Sequence, residues 1–410
     1  MAAVALQSGT SLVAARSGRP PQRLSRRQLG AVVGLIALGT AIRLSIAFTN
    51  RGDTYDIDSA YIVARALAAH PLHVYGTLRY PYAGGFLPVI LACWEIAKAT
   101  GVAFWGVFKV PAILADAGIA AVVAWGLGRL GATPRERLVS VALVALGPLF
   151  ILISGYHGQI DAVALLPAVA AVILWQLGGE GRAWLAGLLI GLGAAVKTFP
   201  LFVVFALLPT VRSRREAATL IALAVAVPLA SVLPFLIADR HATITSITAT
   251  KALPGIGGLS LLIQPSLIHT WLSRPVRTDG LVLDLLRRQN LIVGAAVVIA
   301  GAFAYRRRLD AIPAAALIWL AVYVANPNWF YQYMIWGLPF FLLAGRRAEV
   351  AAVQLALALP AAEVYFHFGL PTLQWLYVPL VDLVWCAFAV AAVVLIVRTR
   401  SRSPAAPSGG

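Results

Sequence analysis

Three carboxylates, Asp53, Asp56 and Asp58, fall within six positions of a 410-residue chain that has only 16 acidic residues. They lie in the polar interval NRGDTYDIDSAYIVARALAAHPLHVYGTLRYP, residues 50–81, just after the first long apolar run. A carboxylate beside a hydroxyl nucleophile can take its proton while a group is transferred, a task that suits Asp best when its pKa is raised. Asp58 is the first candidate for such a base and Asp56 the second. The plainer account is a solvated loop just outside a membrane, where acids are common. The Asp56-Ile57-Asp58 spacing also matches a DxD metal pattern. Two nearby oxygens without further ligands make a weak cation site, so no metal and no other cofactor is expected, and a divalent cation is the minor alternative.

Three further stretches carry polar groups in apolar surroundings. The first is Ser154-Gly155-Tyr156-His157-Gly158-Gln159-Ile160-Asp161. Donors and acceptors at membrane depth are costly unless they line a cavity or meet polar partners. His157 and Gln159 could hydrogen-bond hydroxyls or phosphate, with Asp161 orienting them or holding a neighbouring cation. A satisfied interhelical turn is the rival account. The second is Lys197, between the small-residue run 187–196 and Thr198-Phe199-Pro200. Such an ammonium usually pairs or lines a substrate path, unless it snorkels to the interface. A fixed cation is what a departing phosphate needs. Lys109, in VFKVP, is a weaker candidate of the same kind. The third stretch, Asn326-Pro327-Asn328-Trp329-Phe330-Tyr331-Gln332-Tyr333, sets Asn328 and Gln332 four apart amid aromatics. With Tyr331 they suit a carbohydrate or headgroup platform, against the ordinary interfacial aromatic belt.

The elements that hold these residues are apolar helices. Sixty per cent of the residues are hydrophobic and 12% charged, where a soluble domain carries about 25% charged. Apolar runs of ~20 residues separated by short polar breaks indicate an all-α polytopic membrane protein with about 11–13 transmembrane helices. The net charge of +17 would suit nucleic acid in a soluble protein. Here the arginines cluster in short loops and at the termini, where retention on the cytoplasmic side accounts for them, and no nucleic-acid partner is expected. The clusters at 135–137, 212–215, 306–308, 346–347 and 398–402 should face the cytoplasm. The breaks at 155–161, 197–200, 239–289 and 326–332 then fall on the other side. On that count segments 83–101 and 105–128 cannot both cross: one is interfacial or re-entrant, or 183–211 is a single kinked element.

The apolar run 29–48 is too long for a signal-peptide core and lacks a cleavage site, so it reads as a retained first span. The two cysteines, Cys93 and Cys386, supply neither a disulfide framework nor a metal spacing. The expected organisation is a single integral membrane domain over 26–401. Its first outer loop, 49–82, carries short helices, and a long outer loop spans 239–289. Disordered tails are expected at 1–25 and 402–410.

Taken in order, the motifs resemble the GT-C superfamily of integral-membrane glycosyltransferases that use polyprenyl-phosphate sugars. The likeness is greatest to the bacterial polyprenol-phosphate-mannose-dependent mannosyltransferases of glycosyltransferase family 87. It is weaker to the eukaryotic enzyme that adds the first mannose to the GPI anchor. It rests on Asp58 with Tyr61 and Ala64, Tyr80-Pro81, and Lys109-Val110-Pro111 with Asp116. It continues through Gly158-Gln159-Ile160-Asp161, Lys197 with Pro200, and Tyr333 with Trp336 and Pro339. The resemblance implies a GT-C-like bundle in which an acid of the first outer loop is the base, a role that falls to Asp58 with Asp56 open.

It also implies inverting transfer of a hexose, mannose above others, from a polyprenyl-phosphate sugar to a hydroxyl of a glycolipid or glycan. The active site would lie on the extracytoplasmic face of the inner or plasma membrane, with the donor phosphate near Lys197 and membrane lipid around the donor tail. YHGQID stands where glucosyltransferases of the N-glycan pathway carry an HFQYN-type string, which argues against a glucose donor. The rivals are a transporter or lipid-linked-sugar flippase, against which the absence of two related halves speaks, and a noncatalytic scaffold.

Overall fold

A computed structural model describes residues 23–248, 253–369 and 371–400, and the described part is all helical, with no strands. The expected tails, 1–25 but for its last three residues and 402–410, lie outside the described residues. Among the described residues, seven helices are long and apolar enough to cross a membrane and four shorter apolar helices accompany them. This is a multi-pass membrane protein. In chain order the principal helices are α1 (Arg26–Thr49), α2 (Thr54–Ala69), α3 (Leu87–Thr100), α4 (Phe104–Arg129), α5 (Pro134–His157), α6 (Asp161–Leu177) and α7 (Arg182–Val196). They continue as α8 (Phe199–Thr210), α9 (Arg214–Ala238), α10 (Gln289–Arg306), α11 (Ala311–Ala325), α12 (Tyr331–Leu343), α13 (Arg347–Phe366) and α14 (Pro371–Arg400).

Hydrogen bonds between distant segments sort the helix ends into two sets. At one end, Arg182 donates to Glu216 at 2.6 Å and to the Thr210 carbonyl at 2.7 Å, and Arg347 pairs with Glu136 at 2.7 Å. At the other, Ser246 donates to the Tyr80 carbonyl at 3.0 Å and Trp336 to Asp161 at 2.6 Å. The helices therefore run up and down in alternation, and the arginine-rich turns at 129–137, 212–215, 306–308 and 346–347 share one end.

That alternation requires that α2 and α3 not cross, and α3 is built accordingly. Its 14 residues rise about 21 Å at 1.5 Å each, short of the ~30 Å hydrocarbon core. It packs against α2 through the Tyr61–Trp94 edge contact and against α4 through Trp94–Phe104. Segment 183–211 is two short helices, broken where Lys197 adopts an extended backbone before Pro200.

The long outer loop carries short helices at Arg240–Thr248, Leu259–Ile263, His269–Leu272 and Gly280–Arg287.

Inside the bundle α1, α4 and α5 are tied by an ion pair. Arg43 lies 3.2 Å from Asp116, and both are almost wholly buried. Ser154 bonds the same carboxylate oxygen at 2.6 Å, and the guanidinium also donates to the carbonyls of Gly39, Val144 and Ala145. Lone charges at such depth are expensive, and this network leaves the arginine with a partner on each nitrogen.

Candidate active site

α5 does not remain a regular helix to its end. It breaks at Leu146–Gly147 and finishes as a π-type turn, Ile151–His157. Such turns are frequent where a side chain must be re-aimed. Gly158 closes the turn with φ +90°, and the amides of Gly158 and Gln159 both donate to the Ile153 carbonyl. A Cβ at Gly158 would press on Ile57 and Lys109, so glycine is required there on both counts. Gly52, at φ +87°, is the matching piece of the first outer loop: a Cβ there would run into the Tyr156 carbonyl. Together the two glycines let the acidic loop lie directly on the end of α5.

The result is a connected polar cluster. Asp53 caps α2, accepting from the Asp56 amide at 3.0 Å. On the first turn of α2, Asp56 Oδ2 meets His157 Nε2 at 2.6 Å and accepts from the Gln159 side-chain amide. Gln159 Oε1 accepts from Lys197 Nζ at 2.7 Å, and the same ammonium donates to Asp161 Oδ2 at 2.7 Å. Asp161 Oδ1 accepts from Trp336 Nε1 at 2.6 Å. Lys197 also lies 4.9 Å from the centre of the Tyr82 ring. Trp336 stacks between Phe199 and Tyr333, each 4.3 Å away. His157, Gln159, Asp161 and Lys197 are buried, whereas the Asp56 side chain is one-third exposed. No hydrogen bond occupies Asp56 Oδ1 among the described residues, so the carboxylate has one oxygen held by the protein and one open.

Burial pushes the Asp56 carboxyl up. The bond and charge of His157, the charge of Lys197 and the Gln159 bond outweigh it and hold the group below the usual carboxylate range. That is opposite to the raised pKa expected of a base here, and its cause is the pair of donors on Oδ2. Asp56 is therefore an anion at neutral pH, ready to accept a proton without first losing one.

Of the residues singled out from sequence, Asp56, His157, Gln159, Asp161 and Lys197 come together. Asp58 does not join them. Two positions along a helix turn a side chain by about 200°, and Asp58 points outward, half exposed and paired with Arg51. Lys109 is fully buried and donates to the Asn50 carbonyl at 2.9 Å, behind the loop rather than in the cluster. Asn328 donates to the Leu253 carbonyl at 2.6 Å and so pins the long outer loop. Tyr331 bonds the Tyr377 hydroxyl at 2.6 Å, and Tyr377 in turn donates to the Ile256 carbonyl at 2.8 Å. Gln332 is buried, and its side-chain oxygen meets no hydrogen-bond partner among the described residues. Sequence reasoning missed Tyr82 and Tyr365. The latter hydroxyl lies 2.7 Å from His157 Nδ1. Both read as interfacial aromatics, and no spacing distinguishes them.

Asp53, Asp56 and His157 offer ligand atoms within 4.8 Å of one another. His157 Nε2 and Asp56 Oδ2 already bond each other, and a cation held by His157 Nε2 would have to displace that bond.

Residues 77–327 match glycosyltransferase family 87. The chain belongs to that family. The matched span holds His157, Gln159, Asp161 and Lys197, while Asp56, Trp336 and Tyr365 lie outside it. This family 87 glycosyltransferase matches no curated protein. Among solved structures it is similar to the archaeal oligosaccharyltransferase AglB from Archaeoglobus fulgidus, determined in complex with an inhibitory peptide and a dolichol-phosphate. That likeness is at 12% identity with a TM-score of 0.39. It covers 92% of this chain and 56% of that one, so the chain spans little more than half of that protein's length.

Proposed function

We propose that this family 87 enzyme transfers a hexose, mannose above others, from a polyprenyl-phosphate sugar to a hydroxyl of a glycolipid or glycan on the extracytoplasmic face. The carrying observation is that an open carboxylate oxygen, on Asp56, and an ammonium, on Lys197, are joined through Gln159. Displacement at an anomeric carbon needs a proton acceptor on the nucleophile's side and positive charge on the leaving group's side. The acceptor hydroxyl oxygen bonds to the anomeric carbon as the bond from that carbon to the phosphate oxygen breaks, inverting the centre. Asp56 Oδ1 takes the hydroxyl proton, and the lipid phosphate departs beside Lys197. The ammonium is held by Gln159 and Asp161 and lies against Tyr82, and its fixed positive charge is what the departing phosphate needs. Tyr82 and Tyr333, half-buried beside Lys197 and Trp336, offer aromatic surface against which a hexose can lie. The arginine-rich turns at the opposite end support the extracytoplasmic placement.

The base is Asp56 in this reading, not Asp58. The test is transfer from radiolabelled polyprenyl-phosphate mannose by purified enzyme in detergent. Asp56→Ala should lose about 10²–10⁴ in rate, the usual worth of a general base, while Asp58→Ala stays within about threefold, below that range. The reverse order would return the role to Asp58, and the absence of any covalent product in the wild type would leave a transporter.

A further inference from the structure

We propose that Tyr365 is a positioning residue for the base: its hydroxyl fixes the orientation of the His157 ring, which in turn holds Asp56 Oδ2 and leaves Oδ1 to the acceptor. The proposal rests on the assignment of Asp56 as base. Tyr365 lies on the last turn of α13, outside the matched family span.

The groups that face Asp56 come from several elements. Asp53 lies on its own turn, Tyr82 in the first outer loop, and His157 on α5. Gln159 and Asp161 follow α5, Lys197 follows α7, and Tyr365 comes from α13. Only His157 and Gln159 donate to the carboxylate side chain among the described residues. An imidazole nitrogen 2.6 Å from a carboxylate oxygen must carry its proton, because the two lone pairs would otherwise repel. In a neutral ring Nδ1 is then the acceptor. The Tyr365 hydroxyl, 2.7 Å from Nδ1, is the donor it needs and makes no other hydrogen bond among the described residues. The tyrosine is itself held in place. Its carbonyl accepts from Tyr156 at 3.1 Å, and its ring packs on Tyr156, His157 and Tyr331.

Without that hydroxyl Nδ1 loses its hydrogen bond, and the ring is free to turn its Nε2–H away from Asp56. Asp56 would then lose one of the two donors that hold it ionised, and its second oxygen would compete with Oδ1 for the incoming proton.

Tyr365→Phe keeps the ring and removes the donor. In the purified enzyme it should lower kcat about 2- to 10-fold, the worth of a hydrogen bond between neutral groups. The KM for the donor lipid should stay within about twofold, as expected when remote binding contacts are untouched. The acid limb of the rate profile should move to higher pH. Tyr156→Phe, which loses only a bond to a backbone carbonyl, should leave the limb where it is. A folded Tyr365→Phe enzyme with an unshifted limb overturns the proposal whatever its kcat, because lost turnover alone would report packing. If the variant does not fold, nitrogen-15 shifts of His157 in the wild type decide, and a neutral ring protonated at Nδ1 overturns it. Should Asp56→Ala retain activity, it is the base assignment that fails; a dead Asp56→Ala beside an unaltered Tyr365→Phe removes only this inference.

Discussion

The carboxylate of Asp56 and the ammonium of Lys197 are joined through one neutral side chain, the amide of Gln159, which donates to the first and accepts from the second. Its amide carries donor and acceptor on separate atoms, so it serves both charges at once. Gln159→Glu keeps the acceptor for Lys197 and replaces the donor with a second anion facing Asp56. The expected outcome is a fall in kcat of at least about 10- to 100-fold, from the loss of a charge-assisted hydrogen bond. Near-normal turnover of the folded variant in the labelled-donor assay would show that the amide does not link the two groups.

How much of this the sequence revealed follows from what each residue leans on. The spans were legible because hydrocarbon demands long apolar runs, and the turns because arginine marks one side. Lys197, Gln159 and Asp161 stood out because polar groups are expensive where they sit. Asp56 and Asp58 could not be separated in that way. Their difference is one of helix rotation, and that rotation is set where Gly52 lies against the Tyr156 carbonyl and Gly158 against Ile57, a tertiary fact. Arg43 and Asp116 were each visible, but nothing in their spacing announced that they pair. Tyr365 was hidden among belt aromatics because its hydroxyl matters only once His157 is placed beside it.

Lys197 is bonded to Asp161 in a buried pair, so removing it should damage both fold and function. Breaking such a pair costs about 3–5 kcal/mol through the stranded charge. Lys197→Met should therefore lower the melting temperature in detergent as well as activity. In Lys197→Met/Asp161→Asn the stranded charge is gone and Trp336 still has an oxygen to donate to, so most of the stability should return. Binding of the donor lipid phosphate should not. Wild-type affinity in the folded double variant would exclude Lys197 from the phosphate site.

The lowered pKa of Asp56 fixes the sign of a pH effect. A base works as its anion, so its contribution is complete above its pKa and fades as pH falls through that value. The ordinary aspartate value is about 3.9, and Asp56 lies below it. The profile of kcat/KM should consequently show no acid limb from this group above about pH 5, a unit over the ordinary value. His157→Ala removes the strongest opposition to the burial of Asp56, so its acid limb should appear at higher pH. Identical limbs in the two enzymes would mean that His157 does not hold the base.

Asp53, Asp56 and His157 are close enough to tempt a divalent ion, and a cation bound there would take the oxygens that base catalysis requires. Chelator-treated enzyme should keep its full rate. A loss on EDTA treatment that Mg²⁺ or Mn²⁺ restores would reassign Asp56 from base to ligand.

Far from the reacting groups, Arg43 and Asp116 should matter to the fold alone. Their pair joins three helices, and α5 must be held at Ser154 for His157, three residues later, to reach Asp56. Arg43→Met strands the Asp116 carboxylate in a fully buried site, at a cost of about 3–5 kcal/mol. The double variant Arg43→Met/Asp116→Leu removes both charges, and replacing a buried pair with apolar groups is often neutral. Melting in detergent should show a large loss for the single variant and recovery in the double one. Transfer activity per folded molecule then separates two roles for the pair. If the double variant is stable but slow, the ion pair sets the angle at which the π-type turn presents His157. If it is stable and fast, the pair serves only to bind the three helices together.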